Sequence, residues 1–350
     1  MAQNQPRIFV TRRLPEAIEA RMATLFDVRF NDQDVPLSAD EMLEGLEGRE
    51  VMVSSINDRI DRALLGRFPR SVRLIAQFGN GFDNIDIEAA YAAAGIPVVS
   101  NASANRWTED VPMLIPEVNA SHVDIIPAQR KNRGWDKGFI AVKPNCSVQS
   151  YMTPLYALMQ AGIEIKRMFV TTLQAVSGAG YPGVPSLDMI DNIVPFIGGE
   201  EEKSEKEPLK IFGRVEGGKI VNADSPLVAA HCNRVAVIDG HTACVSVEFG
   251  AKKPSVDEVK ALWRAFRSVP QELKLPFAPV QPIIIREEDN RPQPRKDRDS
   301  DKGMAVTVGR IRPCPLFDLR FVGLSHNTVR GAAGGGILNA ELLKARGYLG

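Results

Sequence analysis

Cys146 stands in FIAVKPNCSVQSYMTPLYALMQAG, between an apolar run of strand character and a helix-forming run. Pro144 cannot continue a strand ladder, and Asn145 is a favourable N-cap. This spacing predicts Cys146 in the first turn of a helix. Free N–H groups and the helix dipole there stabilise a thiolate, and a thiolate near neutral pH is a nucleophile. A buried, inert thiol at a helix start is the other reading, and spacing alone leaves both open. Pro154 is expected to disturb the same helix.

A second constellation lies in HCNRVAVIDGHTACVSVEF. His231, Cys232, His241 and Cys244 have the right side chains for zinc, but their spacing matches no common structural pattern, and no metal is expected. Arg234 with His241 is the sharper pair. Arginine holds a carboxylate bidentately, and histidine exchanges protons near neutral pH. Gly178-Ala179-Gly180-Tyr181-Pro182-Gly183 has the form G-x-G-x-x-G. Pro182 and Pro185 stop it opening a helix, so it reads as a tight loop presenting N–H groups near the cysteine. GAAGGG (Gly331–Gly336) at the start of the closing helix either approaches a ligand or permits close packing.

These residues need elements to hold them. Over the first hundred residues strands alternate with helices. The strands are RIFVT, DVRFN, REVMVSS, RLIAQFG and IPVVSN. The helices are LPEAIEARMATLF, SADEMLEGLEG with Ser38 as N-cap, RIDRALLGRF, and IDIEAAYAAAG ending on Gly95. That alternation predicts a doubly wound parallel sheet. Beyond Asn145 the pattern becomes α+β. GGEEEKSEKE reads as a charged surface segment and EDNRPQPRKDRDSDKG as a long exposed loop, while NTVRGAAGGGILNAELLKARGYL reads as a closing helix. The expected division is 1–145 (1–100 and 101–145), 146–325 and 326–350.

The 350 residues carry 43 Lys+Arg and 43 Asp+Glu, so no net charge draws the chain to nucleic acid or an anionic membrane. No apolar run has the length of a membrane helix, and MAQNQPRIFV lacks the apolar stretch of a signal peptide. Four cysteines in a chain this long are no disulfide framework, so a reducing cytoplasm is expected.

From about Val99 to Gly350 the chain resembles aspartate-semialdehyde dehydrogenases. The resemblance rests on SNASANR, DVPMLIPEVNASH, PNCS, TLQAVSGAGYPGVPSLD, NIVPFIGGEEEK, NRVAVIDGHT, GMAVTVGRIR and LSHNTVRGAAGGGILNAE, in the family's order. It implies a catalytic domain like that of glyceraldehyde-phosphate dehydrogenase and a homodimer or homotetramer. Cys146 becomes the nucleophile with Asn145 beside it, Gln174 orients the substrate, and His241 is the acid/base. Arg234 binds the substrate carboxylate, Glu200 its amino group, and Arg106 and Lys203 its phosphate. Ser177, Gly178, Gly180 and Asn339 are expected to touch NADP(H). Trp107 and Ala236 depart from the methionine and proline common at those places. The implied reaction joins thioester formation on the cysteine to hydride transfer, interconverting β-aspartyl phosphate and aspartate semialdehyde. A malonyl-CoA-reductase-like activity and a folded, non-catalytic protein are the alternatives.

The first hundred residues are similar instead to the N-terminal segment of D-2-hydroxyacid dehydrogenases, through RIFVTRRLPEAIEARMATLFDVRFN and LIAQFGNGFDNIDIEAAYAAAGIPVVSN. In that family the loop written here FGNGFDNID holds a substrate carboxylate. That family's own dinucleotide fingerprint and catalytic arginine, glutamate and histidine do not follow. No glycine turn follows the first strand either, and Arg12 and Arg13 stand there instead. GIPVVSN (Gly95–Asn101) is therefore the junction.

Overall fold

The computed structural model describes residues 5–60, 64, 67–78 and 91–349. Its first sheet contains β1 (Arg7–Val10), β2 (Asp27–Phe30), β3 (Val51–Ser55), β4 (Leu74–Phe78), β5 (Pro97–Ser100) and β6 (Phe139–Val142). They lie in the order β2-β1-β3-β4-β5-β6 and every pairing is parallel. The order turns back between β1 and β3, and in doubly wound sheets the crevice beyond the strand ends at that point receives ligands. Ser38 caps the helix Ala39–Gly45 and forms a capping box with Glu41. Much of RIDRALLGRF and of the FGNGFDNID loop with its following helix lies outside the described residues.

The junction falls inside this sheet. Val98 of β5 pairs with Ile75 of β4 on one side and with Ile140 of β6 on the other. All four residues of β5 are buried, as a central parallel strand requires.

The second sheet is mixed. It contains β7 (Ile165–Gln174), β10 (Leu227–Arg234), β11 (His241–Phe249), β12 (Ile283–Ile285), β13 (Val306–Pro313) and β14 (Leu319–Ser325), in the order β10-β7-β11-β14-β13-β12. A hairpin of β8 (Arg214–Glu216) and β9 (Lys219–Val221) stands apart.

Three expectations need correction. GGEEEKSEKE is not a surface segment but the start of a helix, Glu200–Ile211, which buries Glu200, Ser204, Glu207 and Lys210. Those residues recur at helical spacing, but they are polar, so hydropathy hid the buried face. EDNRPQPRKDRDSDKG folds around buried Asp297, which Arg286 and Arg291 bind through their guanidinium groups. The closing segment starts as a π-turn, Val329–Ala333, before the helix Gly334–Ala345.

One apolar core joins the halves. Phe9 and Ile75 of the first sheet belong to the same cluster as Val170 and Phe321 of the second. Leu338, Leu342 and Leu343 of the closing helix return to Ile8, Val10 and Leu74. The fit is incomplete. A cavity of about 320 Å³, lined by Ile8, Val53, Leu74, Ala76, Ile337 and Ala340 among others, remains between this helix and the sheet.

Candidate active site

Strand register builds the site. Gln174 ends β7 and Arg234 ends β10, and the two are directly paired on adjacent parallel strands. β11 runs antiparallel to β7 with Thr242 opposite Leu173, so His241, its first residue, reaches the same end. Cys146 enters from the first half, just past β6.

Cys146 is not in a helical turn of the expected kind. Asn145 does cap a turn, its Oδ1 accepting from Ser147 N at 2.8 Å and Ser147 Oγ at 2.7 Å. A short 3-10 segment, Val148–Ser150, follows, and the α-helix starts only at Met152. Cys146 therefore precedes the helix and is not part of its first turn. Pro154 falls in the helix's first turn, where its missing N–H costs nothing.

His241 Nε2 lies 3.3 Å from Cys146 Sγ. Its Nδ1 accepts the N–H of Ala175 at 3.0 Å. A neutral ring that accepts at Nδ1 carries its proton on Nε2, so His241 offers a donor to the sulfur. Burial, then the Arg234, His326 and Lys143 charges, press His241 down to about 3 and keep it neutral. Cys146 is pushed up to about 11 by burial and by Glu200, while Lys143, Arg106 and Arg234 pull it the other way.

Glu200 ties the predicted residues together. It accepts from Asn145 Nδ2 at 2.8 and 2.9 Å, from Gln174 Nε2 at 3.1 Å and from Lys203 Nζ at 2.9 Å. Arg234 donates from Nη1 to Ala175 O at 2.7 Å. A Cβ on Gly178 would stand 2.9 Å from both Arg234 Nη1 and His241 Cε1, so only glycine fits between them. Arg106 is buried, donating to Glu207 Oε1 at 2.9 Å and to Asn101 O at 2.7 Å, while its Nε has no partner.

A cleft of about 900 Å³ opens on the sulfur. Ser177, Gly178, Gly180 and Thr328 line its catalytic side, and Arg12, Arg13, Asn57 and Phe78 its other wall, at the β1/β3 switch point. Asn339 is not in this cleft. It lies one helical turn beyond Gly335, faces inward, is fully buried, and lines a separate small cavity with Lys143, Glu117 and Arg330. GAAGGG serves packing at two points, since a Cβ on Gly331 would meet Cys146 Cβ at 2.8 Å and one on Gly335 would meet the Lys143 stem at 2.8 Å. The four residues of the zinc reading do not converge. Among the described residues no group of three or more His, Cys, Asp or Glu is placed to hold a metal.

Several residues escaped the sequence. Glu207 holds Arg106 and also accepts Asn145 N at 2.6 Å. Asn327 joins Ser177 Oγ at 2.8 Å to Gly240 N at 2.7 Å. Lys143 and Arg330 are buried beside the loop that carries Cys146. The lysine beside the PNCS motif is the one signal of these visible in the sequence.

A cysteine with a fixed histidine donor, at the mouth of a cleft bordered by a doubly wound sheet, defines a thiol-dependent oxidoreductase or acyl transferase. Comparison with known proteins narrows this class. Residues 155–330 match the family described as semialdehyde dehydrogenase, dimerisation domain. Residues 8–109 match D-isomer specific 2-hydroxyacid dehydrogenase, catalytic domain. An aspartate-semialdehyde dehydrogenase of Archaeoglobus fulgidus is 54% identical over 258 residues, 74% of this chain and 73% of the relative. That of Saccharomyces cerevisiae is 45% identical over 274 residues, 75% of each. The crystal structure of the Candida albicans enzyme with NADP superposes with a TM-score of 0.73 at 42% identity, covering 80% of each chain. Aspartate semialdehyde dehydrogenase II of Vibrio cholerae shares the fold over 99% of this chain and 100% of its own, at TM-score 0.69 and 22% identity. The chain belongs to the aspartate-semialdehyde dehydrogenase family and is an oxidoreductase, with a first hundred residues that match a second dehydrogenase family. No helix among the described residues is long and apolar enough to cross a membrane.

Proposed function

We propose that the chain interconverts L-aspartyl-4-phosphate and aspartate 4-semialdehyde through a thioester on Cys146. The observation that carries this is Cys146 Sγ at 3.3 Å from His241 Nε2, beside the paired strand ends of Gln174 and Arg234. Arg234 binds the substrate α-carboxylate and Glu200 its ammonium, with Gln174 and Asn145 holding Glu200 in place. Arg106 Nε and the half-exposed Lys203 meet the phosphate. The thiolate attacks the acyl carbon, the C–O bond to phosphate breaks, and the thioester forms. His241 donates its Nε2 hydrogen bond to the oxyanion of each tetrahedral species, a contact of the kind that stabilises charge developing in the transition state. When the aldehyde is released, sulfur leaves as thiolate and the site is restored.

NADP(H), when bound, supplies or accepts the hydride. The cleft suits its nicotinamide end through Ser177, Gly178 and Gly180 beside Cys146. At the phosphate end no glycine turn follows β1. Glu19 accepts Leu14 N at 2.8 Å and puts a carboxylate where an open helix start would take phosphate. Arg12 and Arg13 are the cations on that wall and would hold phosphate by their side chains, in exchange for Asp34 and Glu19.

A homodimer fits the exposed apolar residues Leu187, Ile190, Ile193 and Phe196 within the matched dimerisation domain. A reducing cytoplasm suits a chain whose four cysteines are all free thiols. The test is phosphate-dependent NADP reduction with aspartate semialdehyde, followed by absorbance. Cys146→Ala is expected to abolish it, and turnover surviving that change would overturn the reaction.

A further inference from the structure

The strands of the first sheet all run one way, so the sheet has two distinct edges. The catalytic cleft takes Ser55 and Phe78, the last residues of β3 and β4. The opposite edge has openings of its own. Pro6, Glu50 and Arg73 immediately precede β1, β3 and β4, and all three line the cavity of about 320 Å³ under the closing helix. A groove of about 600 Å³ lies beside it, with Arg73 and Leu349 in the walls of both. Neither opening shares a residue with the catalytic cleft.

The two openings differ in character. The cavity is apolar inside, with Ile8, Val53 and Leu74 of the sheet facing Ile337 and Ala340 of the helix. The groove is cationic. Arg70, Arg73, Arg130 and Lys137 line it, and among the described residues no carboxylate does. In a chain with 43 basic and 43 acidic side chains, four cations without an acid are a local concentration of positive charge. Lys344 adds another at the cavity, one turn beyond Ala340 and on the helix face that carries Ile337. Arg130 is engaged with the Gly138 and Lys137 carbonyls and with the Phe139 ring. Arg70, Arg73, Lys137 and Lys344 are exposed, and among the described residues none of the four is in an ion pair. The two carboxylates of the cavity already accept backbone N–H groups, Glu50 from Arg7 at 3.2 Å and Glu341 from Phe277 at 2.9 Å.

We propose that this edge of the sheet binds a medium-chain carboxylate, with its tail in the cavity and its head beside Arg73 and Lys344. The cavity is at the small end of the ligand-site range, roughly 300–1,000 Å³. Apolar walls hold water poorly, so a tail that enters displaces nothing the protein needs. The groove's further cations raise the local concentration of an anion at the mouth. A cationic amphiphile would meet Arg73 and Lys344 with the same sign of charge, and an uncharged one would gain the tail contacts alone. Binding here does not depend on the reaction at Cys146.

Decanoate binding to the full chain is measured by calorimetry, with 1-decanol and decylamine for comparison. Decanoate is expected to bind with a Kd below about 1 mM and with a negative heat-capacity change from apolar burial. The thermal midpoint is expected to rise with decanoate concentration. Arg73→Glu combined with Lys344→Glu, both at exposed positions, is expected to weaken decanoate by about tenfold or more and to leave 1-decanol unchanged. Ala340→Phe fills the cavity and is expected to weaken both. Arg12→Ala with Arg13→Ala, on the catalytic cleft, is expected to change neither. Absence of decanoate binding at about 1 mM overturns the proposal, as does decylamine bound as tightly as decanoate. Decanoate affinity that survives the charge reversal overturns it too, and that readout stands even if Ala340→Phe does not fold. Loss of decanoate in the Arg12 and Arg13 variant would place the anion in the catalytic cleft and overturn it equally.

Discussion

Glu207 and Arg106 meet at 2.9 Å inside the protein, one from the helix Glu200–Ile211 and the other from the loop just past the junction strand. Glu207 also accepts the backbone N–H of Asn145. One carboxylate thus holds the loop after β5 against the loop that carries Cys146. Removing it strands a buried guanidinium. Glu207→Ala is expected to cost about 3–5 kcal/mol in urea unfolding. Glu202→Ala, which breaks an exposed pair with Lys206 on the other face of the same helix, is expected to cost no more than ~0.5 kcal/mol. Equal losses in the two variants would deny Glu207 this role.

His241 sits far below its ordinary value, at about 3, because it is buried among positive charges. It is therefore neutral on both sides of neutrality, and the acid limb of kcat/KM does not belong to it. His241→Asn is expected to lower kcat by about 10²–10³ without moving that limb. The check is a pair of pH–rate profiles. A limb near about pH 6.5 that vanishes in the variant would assign the titration to this ring.

Glu341 on the closing helix accepts Phe277 N at 2.9 Å, and its other oxygen has no partner. Burial raises it from 4.5 to about 7, against the Phe277 hydrogen bond and the Arg21 charge. The folded state then binds more protons than the unfolded state between those two values. Stability from this group is full below the lower value and declines as pH rises toward the upper one. Thermal unfolding is expected to fall across that window, and Glu341→Gln to flatten the slope. An unaltered slope in the variant would place the effect elsewhere.

Arg12 and Arg13 are the cations of the cleft wall where the first strand ends. If side chains replace a glycine turn there, Arg12→Ala with Arg13→Ala is expected to weaken NADPH binding by about tenfold or more, read by calorimetry. The loss should shrink with added salt, since both arginines are partly exposed. An affinity that does not change removes both residues from the cofactor site.

The first sheet was legible because its strands are apolar and its helices amphipathic, so period and turn residues mark each element. Gln174, Arg234 and His241 were legible as motif residues. The convergence of their side chains was not, because it depends on the parallel pairing of β7 with β10 and the reversed run of β11. Glu207 lies in the stretch that reads as surface, and Lys210 follows three residues on, yet both are buried. Their burial is sustained by partners about a hundred residues away, Arg106 and the Arg106 and Thr108 carbonyls.

By itself the sequence determined what is local: most strand and helix identities, the cap at Ser38, the turn at Asn145 and the likeness of its two parts to two families. Hydrophobic period, capping and motif are properties of neighbours along the chain. Only the tertiary structure decided the tautomer of His241, the burial of Lys143, the inward turn of Asn339 and the imperfect seat of the closing helix on the first sheet. Each of these follows from which distant groups share a space from which water has been removed, where a single hydrogen bond or unmatched charge sets the chemistry.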